Sequence, residues 1–387
     1  MKAIINAKAV LPAGVIENCT ILIDGEKITA VGQDINLPAG TEVKDAGGNW
    51  VGPGFVDIHV HANGRGNQWF SEDPKAVAEY HLKHGTTAIN AYLGYDMPKD
   101  ALIQAARKIQ AVIDAGIAPS IYGVGFEGPY INPHEGANTE KNDRCGPDED
   151  EYTQLYEACR GHVLQWMYAP EMDRDGRFGD FLRDHNVVTA VGHTEASPAQ
   201  IRAAVDKGAT IATHLFDAMG CWRGTGSIDE TGIIQDTAAD GCLICPELTY
   251  EIIPDSRGVH VKPANMKLTY MLAGPHRVAI ITDCTTINYD PADYPPEDKH
   301  SAPDLNYNEN GELSGSVLTM DRAFRNFMKH TGSSVIDTFL MAATTPAKAV
   351  RIDRVTGSVV PGKYADLVIM DSEFNLKQTI FHGEPVK

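Results

Sequence analysis

Six residues of this 387-residue chain have the type and spacing to do chemistry: His59, His61, Glu127, His193, His214 and Asp283. His59 and His61 are two positions apart, so on an extended strand both imidazoles point to the same side, as a metal ion requires of two ligands from one segment. A single His-x-His pair is weak evidence in a chain with 14 histidines. Imidazole nitrogens and carboxylate oxygens together suit Zn(II), Fe(II) or a similar divalent ion, and a carboxylate such as Glu127 can bridge two of them. Glu127 follows the apolar run 121–126 and precedes Gly128-Pro129, an odd place for a charge unless something compensates it. Asp283 ends the apolar stretch Ile280-Ile-Thr-Asp. A carboxylate there, beside a metal-activated water, could accept its proton and hand it to a leaving amine. The plainer alternatives are core or helix-capping histidines, a surface Glu127, and an Asp283 that caps a loop.

What would bring these residues together is the alternation of apolar strands with helix-period segments, the pattern of βα units and a parallel sheet. Eight strands are predicted, at 54–61, 86–92, 121–127, 163–169, 187–193, 210–215, 242–247 and 278–283. Eight closes a (β/α)8 barrel, whose active-site face is the carboxyl end of its strands, and each of the six residues lies at or next to such an end. The helix after the fifth strand is well marked by Ser197 as N-cap, Pro198 at the first helical position, Ile201 and Val205 on one face, and Gly208 at its end. Both ends of the chain read instead as short strands broken by turns: 3–10, 16–23 and 27–31 at one end, and 357–362, 365–370 and 378–382 at the other. The fold class expected is therefore α/β, a TIM-like barrel over 53–345 with a small β-sandwich domain from 1–52 and 346–387. The Pro-, Asp- and Asn-rich stretch 291–314 is expected to be a long loop.

Composition narrows the partners. Lys and Arg number 33 against 52 Asp and Glu, a formal charge of −19, so a polyanion would be repelled over most of the surface. Neither nucleic acid nor an anionic membrane is an expected partner, and any anionic substrate must be met by a local cationic cluster or by metal. No apolar run is long enough to span a bilayer and no signal peptide is evident, so a soluble, cytoplasmic protein is expected. Seven scattered cysteines form no disulfide framework, and Cys242-x-x-Cys245 reads as a pair of buried strand thiols.

Nine segments in order along the chain resemble the amidohydrolase superfamily, and within it the N-acetylglucosamine-6-phosphate deacetylases. They are Pro53-Gly-Phe-Val-Asp-Ile-His-Val-His61, Glu127-Gly-Pro-Tyr130, Ala169-Pro-Glu171, Gly192-His193-Thr194, Thr213-His-Leu-Phe-Asp-Ala-Met219, Gly258-Val-His-Val261, Ile281-Thr-Asp283, Leu313-Ser-Gly-Ser316 and Thr345-Pro-Ala347. The resemblance implies that Glu127, His193 and His214 hold the main metal, that His59 and His61 favour a second ion, and that Asp283 is the general acid and base. It also implies that His260 lies at or near the sugar phosphate, that the Ala218-Met219 backbone contacts the ligand, and that the chain is a homodimer.

Some positions depart from the family pattern. Asp217 stands where the family usually has Asn, Asn138 near where it has His, and Arg257 where relatives carry Asp before Gly-x-His. Arg223 matches the phosphate-binding Arg of the family only loosely. Arg223, Arg257 and His260 could form a replacement anion cluster, because a guanidinium can hold phosphate through two hydrogen bonds. The expected reaction is metal-dependent removal of the N-acetyl group from an amino sugar, with the 6-phosphate of N-acetylglucosamine as substrate and Zn(II) or Fe(II), one or two ions per chain, as cofactor. The alternatives are N-acetylgalactosamine-6-phosphate, an unphosphorylated N-acetyl sugar, or an N-acyl amino acid.

Overall fold

The computed structural model describes residues 1–220 and 235–387. Its first five strands, β1 (Lys2–Leu11), β2 (Gly14–Asp24), β3 (Lys27–Gly32), β4 (Glu42–Asp45) and β5 (Trp50–Pro53), lead into an eight-stranded parallel sheet. That sheet consists of β6 (Phe55–Val60), β7 (Thr86–Leu93), β8 (Ile121–Glu127), β9 (Val163–Tyr168), β10 (Val188–Val191), β11 (Ala209–Ala212), β12 (Thr249–Ile252) and β13 (Val278–Ile280), each paired with the next in chain order. A short hairpin, β14 (Leu305–Tyr307) and β15 (Leu313–Ser316), follows within the expected loop. The chain closes with β16 (Leu367–Met370), β17 (Leu376–Phe381) and β18 (Glu384–Pro385).

The barrel seam closes past the last residue of β13. Asp283 N donates to His59 O at 2.9 Å, and the amides of His61 and Ala62 both reach Cys284 O, at 3.0 and 2.8 Å. Below them Thr282 Oγ1 donates to Asp57 Oδ2 at 2.5 Å. Burial pushes the Asp57 carboxyl up to about 7, against the lowering effect of the Thr282 hydrogen bond. Strands β6 and β7 are buried along their whole length, which fits a parallel sheet covered on both faces.

Strands from both termini pair as one eight-stranded sheet in the order β18-β17-β16-β5-β1-β2-β3, with β4 also on β1. It has its own apolar cluster, including Ile4, Ala7, Ile21, Val51, Leu367 and Ile369. Strand β5 passes into β6 through Gly54, where an added Cβ would stand 2.2 Å from Thr87 Oγ1, so only glycine fits between sheet and barrel.

Two sequence expectations need correction. The seventh strand is not at 242–247. Thr237 and Asp240 form a capping box that starts a helix at Ala238–Leu243, Cys242 lies on that helix, and the strand is Thr249–Ile252. The apolar run 242–245 straddles the end of this short helix and the turn after it, and so reads as a buried strand. Cys242 and Cys245 are buried, and burial raises both thiols. The segment 357–362 forms turns and not a strand. The helix expected after the fifth strand is present at Pro198–Asp206, with Ser197 and Gln200 completing a capping box. No helix among the described residues is long and apolar enough to cross a membrane.

Candidate metal centre and active site

The six residues singled out in the sequence meet at one mouth of the barrel. His59 lies within β6 with His61 just beyond it, and Glu127 is the last residue of β8. His193, His214 and Asp283 follow shortly after β10, β11 and β13. These last three have positive φ, at 47°, 28° and 48°. A non-glycine residue in that region costs on the order of 1–3 kcal/mol, and such strain collects at functional sites. Here each stands where the chain turns off the end of a strand.

Glu127 lies between two groups of ligand atoms, one of His59, His61, Glu127 and Asp283 and the other of Glu127, His193 and His214. Its Oε1 is 2.9 Å from His193 Nε2 and 3.2 Å from His214 Nε2, and its Oε2 is 3.3 Å from His61 Nε2. His61 Nε2 is also 3.2 Å from Asp283 Oδ1 and 3.2 Å from His59 Nε2. Nε2 of His193 and Nε2 of His214 are 3.1 Å apart.

The donor set fits divalent metal. His193 Nδ1 lies 2.8 Å from Glu135 O and His214 Nδ1 lies 3.0 Å from Asp217 O, so both rings donate there. In the neutral ring this leaves each Nε2 with a lone pair aimed at the other and at a carboxylate oxygen. A shared proton or a metal ion relieves that, and a backbone or carboxylate acceptor on the far nitrogen is the usual way a ligating histidine is oriented. Burial opposes a proton on His59, but the Glu127 and Glu251 carboxylates outweigh it and hold its pKa well above the ordinary value. Burial likewise opposes charge on Glu127, yet His193 and His61 bring its carboxyl well below the usual range. Asp283 is lowered too, the His61 hydrogen bond and the charge of His59 prevailing over burial. Positive charge belongs at this spot, and a divalent metal would supply it.

Outside the candidate ligands the site is fastened by residues to which the sequence reading gave no role. Glu171 accepts from Asn132 Nδ2 at 2.9 Å, Glu195 N at 2.8 Å and Thr194 Oγ1 at 2.5 Å, tying together the turns after β8, β9 and β10. Glu251, on the misplaced strand β12, receives His59 Nδ1 at 3.1 Å. Asp255 holds His260, accepting from its amide at 2.9 Å with Nδ1 at 3.2 Å. His260 Nε2 in turn faces Gly315 O at 3.2 Å. The signal for Asp255 was a buried acid five residues before a histidine, a spacing that only a folded loop makes meaningful.

A cavity of about 470 Å³ opens above the ligands. Asn138, Asp217 and Ala218 line it, as does Asp283, whereas Met219 is buried behind it and bridges to Thr194. Asn138 Oδ1 accepts from Lys141 Nζ at 3.2 Å, and Lys141 lies on the same wall. Arg257 points elsewhere: its guanidinium donates to the carbonyls of Asp298 and Pro296 at 2.8 and 3.1 Å and to Ser301 Oγ at 2.6 Å. Arg223 lies outside the described residues. The expected cluster of Arg223, Arg257 and His260 is therefore not assembled around this cavity by the described side chains.

The profile of the amidohydrolase family matches residues 50–386. The N-acetylglucosamine-6-phosphate deacetylase of Lysinibacillus sphaericus is 25% identical over 387 aligned residues, covering 98% of this chain and 96% of the relative. The N-acetylgalactosamine-6-phosphate deacetylase of Escherichia coli O157:H7 is 28% identical over 363 residues, covering 90% of each. Among solved structures, N-acetylglucosamine-6-phosphate deacetylase from Pasteurella multocida superposes with a TM-score of 0.84 at 26% identity, with 99% of both chains covered. A mutant of the Mycobacterium smegmatis deacetylase in complex with N-acetyl-D-glucosamine-6-phosphate gives 0.82 at 28% identity, covering 100% of this chain and 99% of that one.

Proposed function

The chain belongs to the amidohydrolase family, and from that premise we propose that it hydrolyses the N-acetyl group of an amino sugar, with N-acetylglucosamine-6-phosphate as substrate. The observation that carries the reading is Glu127, whose two oxygens face His193 and His214 on one side and His61 on the other. His59, His61, Glu127, His193 and His214 would hold one or two divalent ions, Zn(II) or Fe(II), which lower the pKa of water and polarise an amide carbonyl. Asp283, lowered and therefore anionic at neutral pH, takes a proton from the attacking water and returns it to the departing amine nitrogen. That return is required, because an amide anion is a poor leaving group.

The cavity wall suits a sugar. Trp69 lines it, Asn288 offers an amide for a hydroxyl group, and Lys141 offers a cation for a phosphate. The nearby carboxylate of Asp217 favours a phosphate lying on the Lys141 side. All these residues lie in 53–345, the proposed catalytic domain, with 1–52 and 346–387 as its supporting domain. A charged sugar phosphate does not cross a bilayer unaided, so the reading carries a cytoplasmic location with it. We also propose a homodimer: helix Pro263–Ala273 leaves Leu268, Met271 and Leu272 52%, 74% and 53% exposed, a patch that a second copy would cover.

The test is release of acetate from N-acetylglucosamine-6-phosphate, N-acetylgalactosamine-6-phosphate, the two free sugars and a set of N-acyl amino acids. Preference for the first substrate is the expected result. Turnover confined to N-acyl amino acids would overturn the reading.

A further inference from the structure

Glu251 is a fully buried carboxylate on β12, and both its oxygens are engaged. Oε2 is 3.1 Å from His59 Nδ1, and Oε1 accepts from Gln165 Nε2 at 2.8 Å. The His59 ring is clamped from a second direction by Tyr92, which stacks on it with centroids 3.9 Å apart and planes 19° from parallel. Its position is thus set, with Nδ1–H toward Glu251 and Nε2 the nitrogen presented to His61, Glu127 and Asp283.

This treatment differs from that of the other ligands. His193 and His214 donate Nδ1–H to neutral backbone carbonyls, whereas His59 donates to a carboxylate. A carboxylate acceptor makes the opposite nitrogen a stronger electron donor. It also changes the charge balance of the barrel interior. Glu127, Asp283 and Glu251 are three buried acids, and taking such charges out of water is costly unless they are matched. One divalent ion leaves them in excess. Two would reverse the sign.

We propose that Glu251, held by Gln165, is the positioning residue that orients His59 and sets how tightly the His59–His61 side holds its ion. The proposal rests on reading the cavity as a metal centre and not on which sugar it accepts.

Elemental analysis after loading with Zn(II) and dialysis tests it. The unaltered chain is expected to retain two ions. Glu251→Gln is expected to retain one and to bind the second 10- to 100-fold more weakly, with excess Zn(II) restoring it. Glu251→Asp should restore part of that affinity, and the visible spectrum of Co(II)-loaded protein should lose the contribution of its second equivalent in the Gln variant. Should Glu251→Gln fail to fold, Gln165→Met probes the same arm without touching a ligand or the carboxylate, and a weaker second ion is again expected. One ion in the unaltered chain, or wild-type affinity for the second ion in these variants, overturns the proposal. Two ions that depend on Glu251, in a protein that deacetylates no sugar, would leave it standing and remove the deacetylase reading alone.

Discussion

The backbone amide of Asp283 donates a 2.9 Å hydrogen bond to the carbonyl of His59, so the residue that would move the proton and the first candidate metal ligand are joined across the closing seam of the barrel. Their side chains meet as well, with Asp283 Oδ1 3.7 Å from His59 Nε2 and 3.2 Å from His61 Nε2. Asp283→Asn keeps the size of the side chain and the backbone bond but removes the base. We predict a fall in kcat of about 10²- to 10⁴-fold, the usual worth of a positioned general acid or base. Metal bound by Glu127, His193 and His214 should be retained. Full deacetylase turnover in this variant, with normal metal content, would remove Asp283 from the proton path.

Gly136 packs against His193. Its φ is +117°, and a Cβ built there would stand 2.6 Å from His193 Nδ1, the nitrogen that donates to Glu135 O. Gly136→Ala should therefore turn the imidazole off its axis and weaken metal retention, by 10- to 100-fold if it acts as loss of an outer partner commonly does. Metal titration checks this, and unchanged affinity would mean that the loop shifts without disturbing the ligand.

Much of this site could be read before any coordinates. The six converging residues share the carboxyl ends of strands, and strand ends can be located from apolar runs. Seven of the eight strands were expected close to where they lie, and 121–127 matches β8 at both ends. What escaped was set by longer-range contacts. Glu251 was hidden because the apolar run 242–245, spanning the end of the short helix Ala238–Leu243 and the turn after it, mimicked a strand and displaced β12. The positive φ of His193, His214 and Asp283 is only faintly marked by residue type, since histidine and aspartate reach that region more readily than other side chains yet usually do not adopt it. Arg257 looked like an anion ligand by charge and nearness to His260, and only the folded loop shows it turned toward the 296–301 carbonyls. Asp255, an unremarked acid, turned out to be the partner of His260.

Lys141 is the Lys or Arg on the cavity wall among the described residues, and it is exposed there beside Asn138. Lys141→Met should raise KM for N-acetylglucosamine-6-phosphate while leaving kcat within about twofold, the pattern of an interaction made equally in ground and transition states. The free sugar should be unaffected. An equal rise in KM for both substrates would mean that Lys141 shapes the wall without meeting the phosphate.

His81 provides a pH test away from the metal ligands. It is fully buried, its Nε2 donates to Ala62 O at 2.8 Å, and burial brings its pKa down to about 4 against the raising effect of that bond. Nδ1 has no hydrogen-bond partner among the described residues, so a second proton would find no acceptor. The unfolded chain takes up that proton near pH 6.5 and the folded one only near 4, so the unfolded state binds more protons between these values and stability falls as pH drops through the window. The loss from this one group should be about 2 kcal/mol at pH 5 and about 3 kcal/mol once pH is below 4. His81→Gln removes the titration and can still offer an amide to Ala62 O. Its melting temperature should start lower at pH 7, where the fit to the ring is lost, and fall less than that of the unaltered chain between pH 7 and pH 5. Parallel declines in the two proteins would show that His81 carries no part of the acid sensitivity.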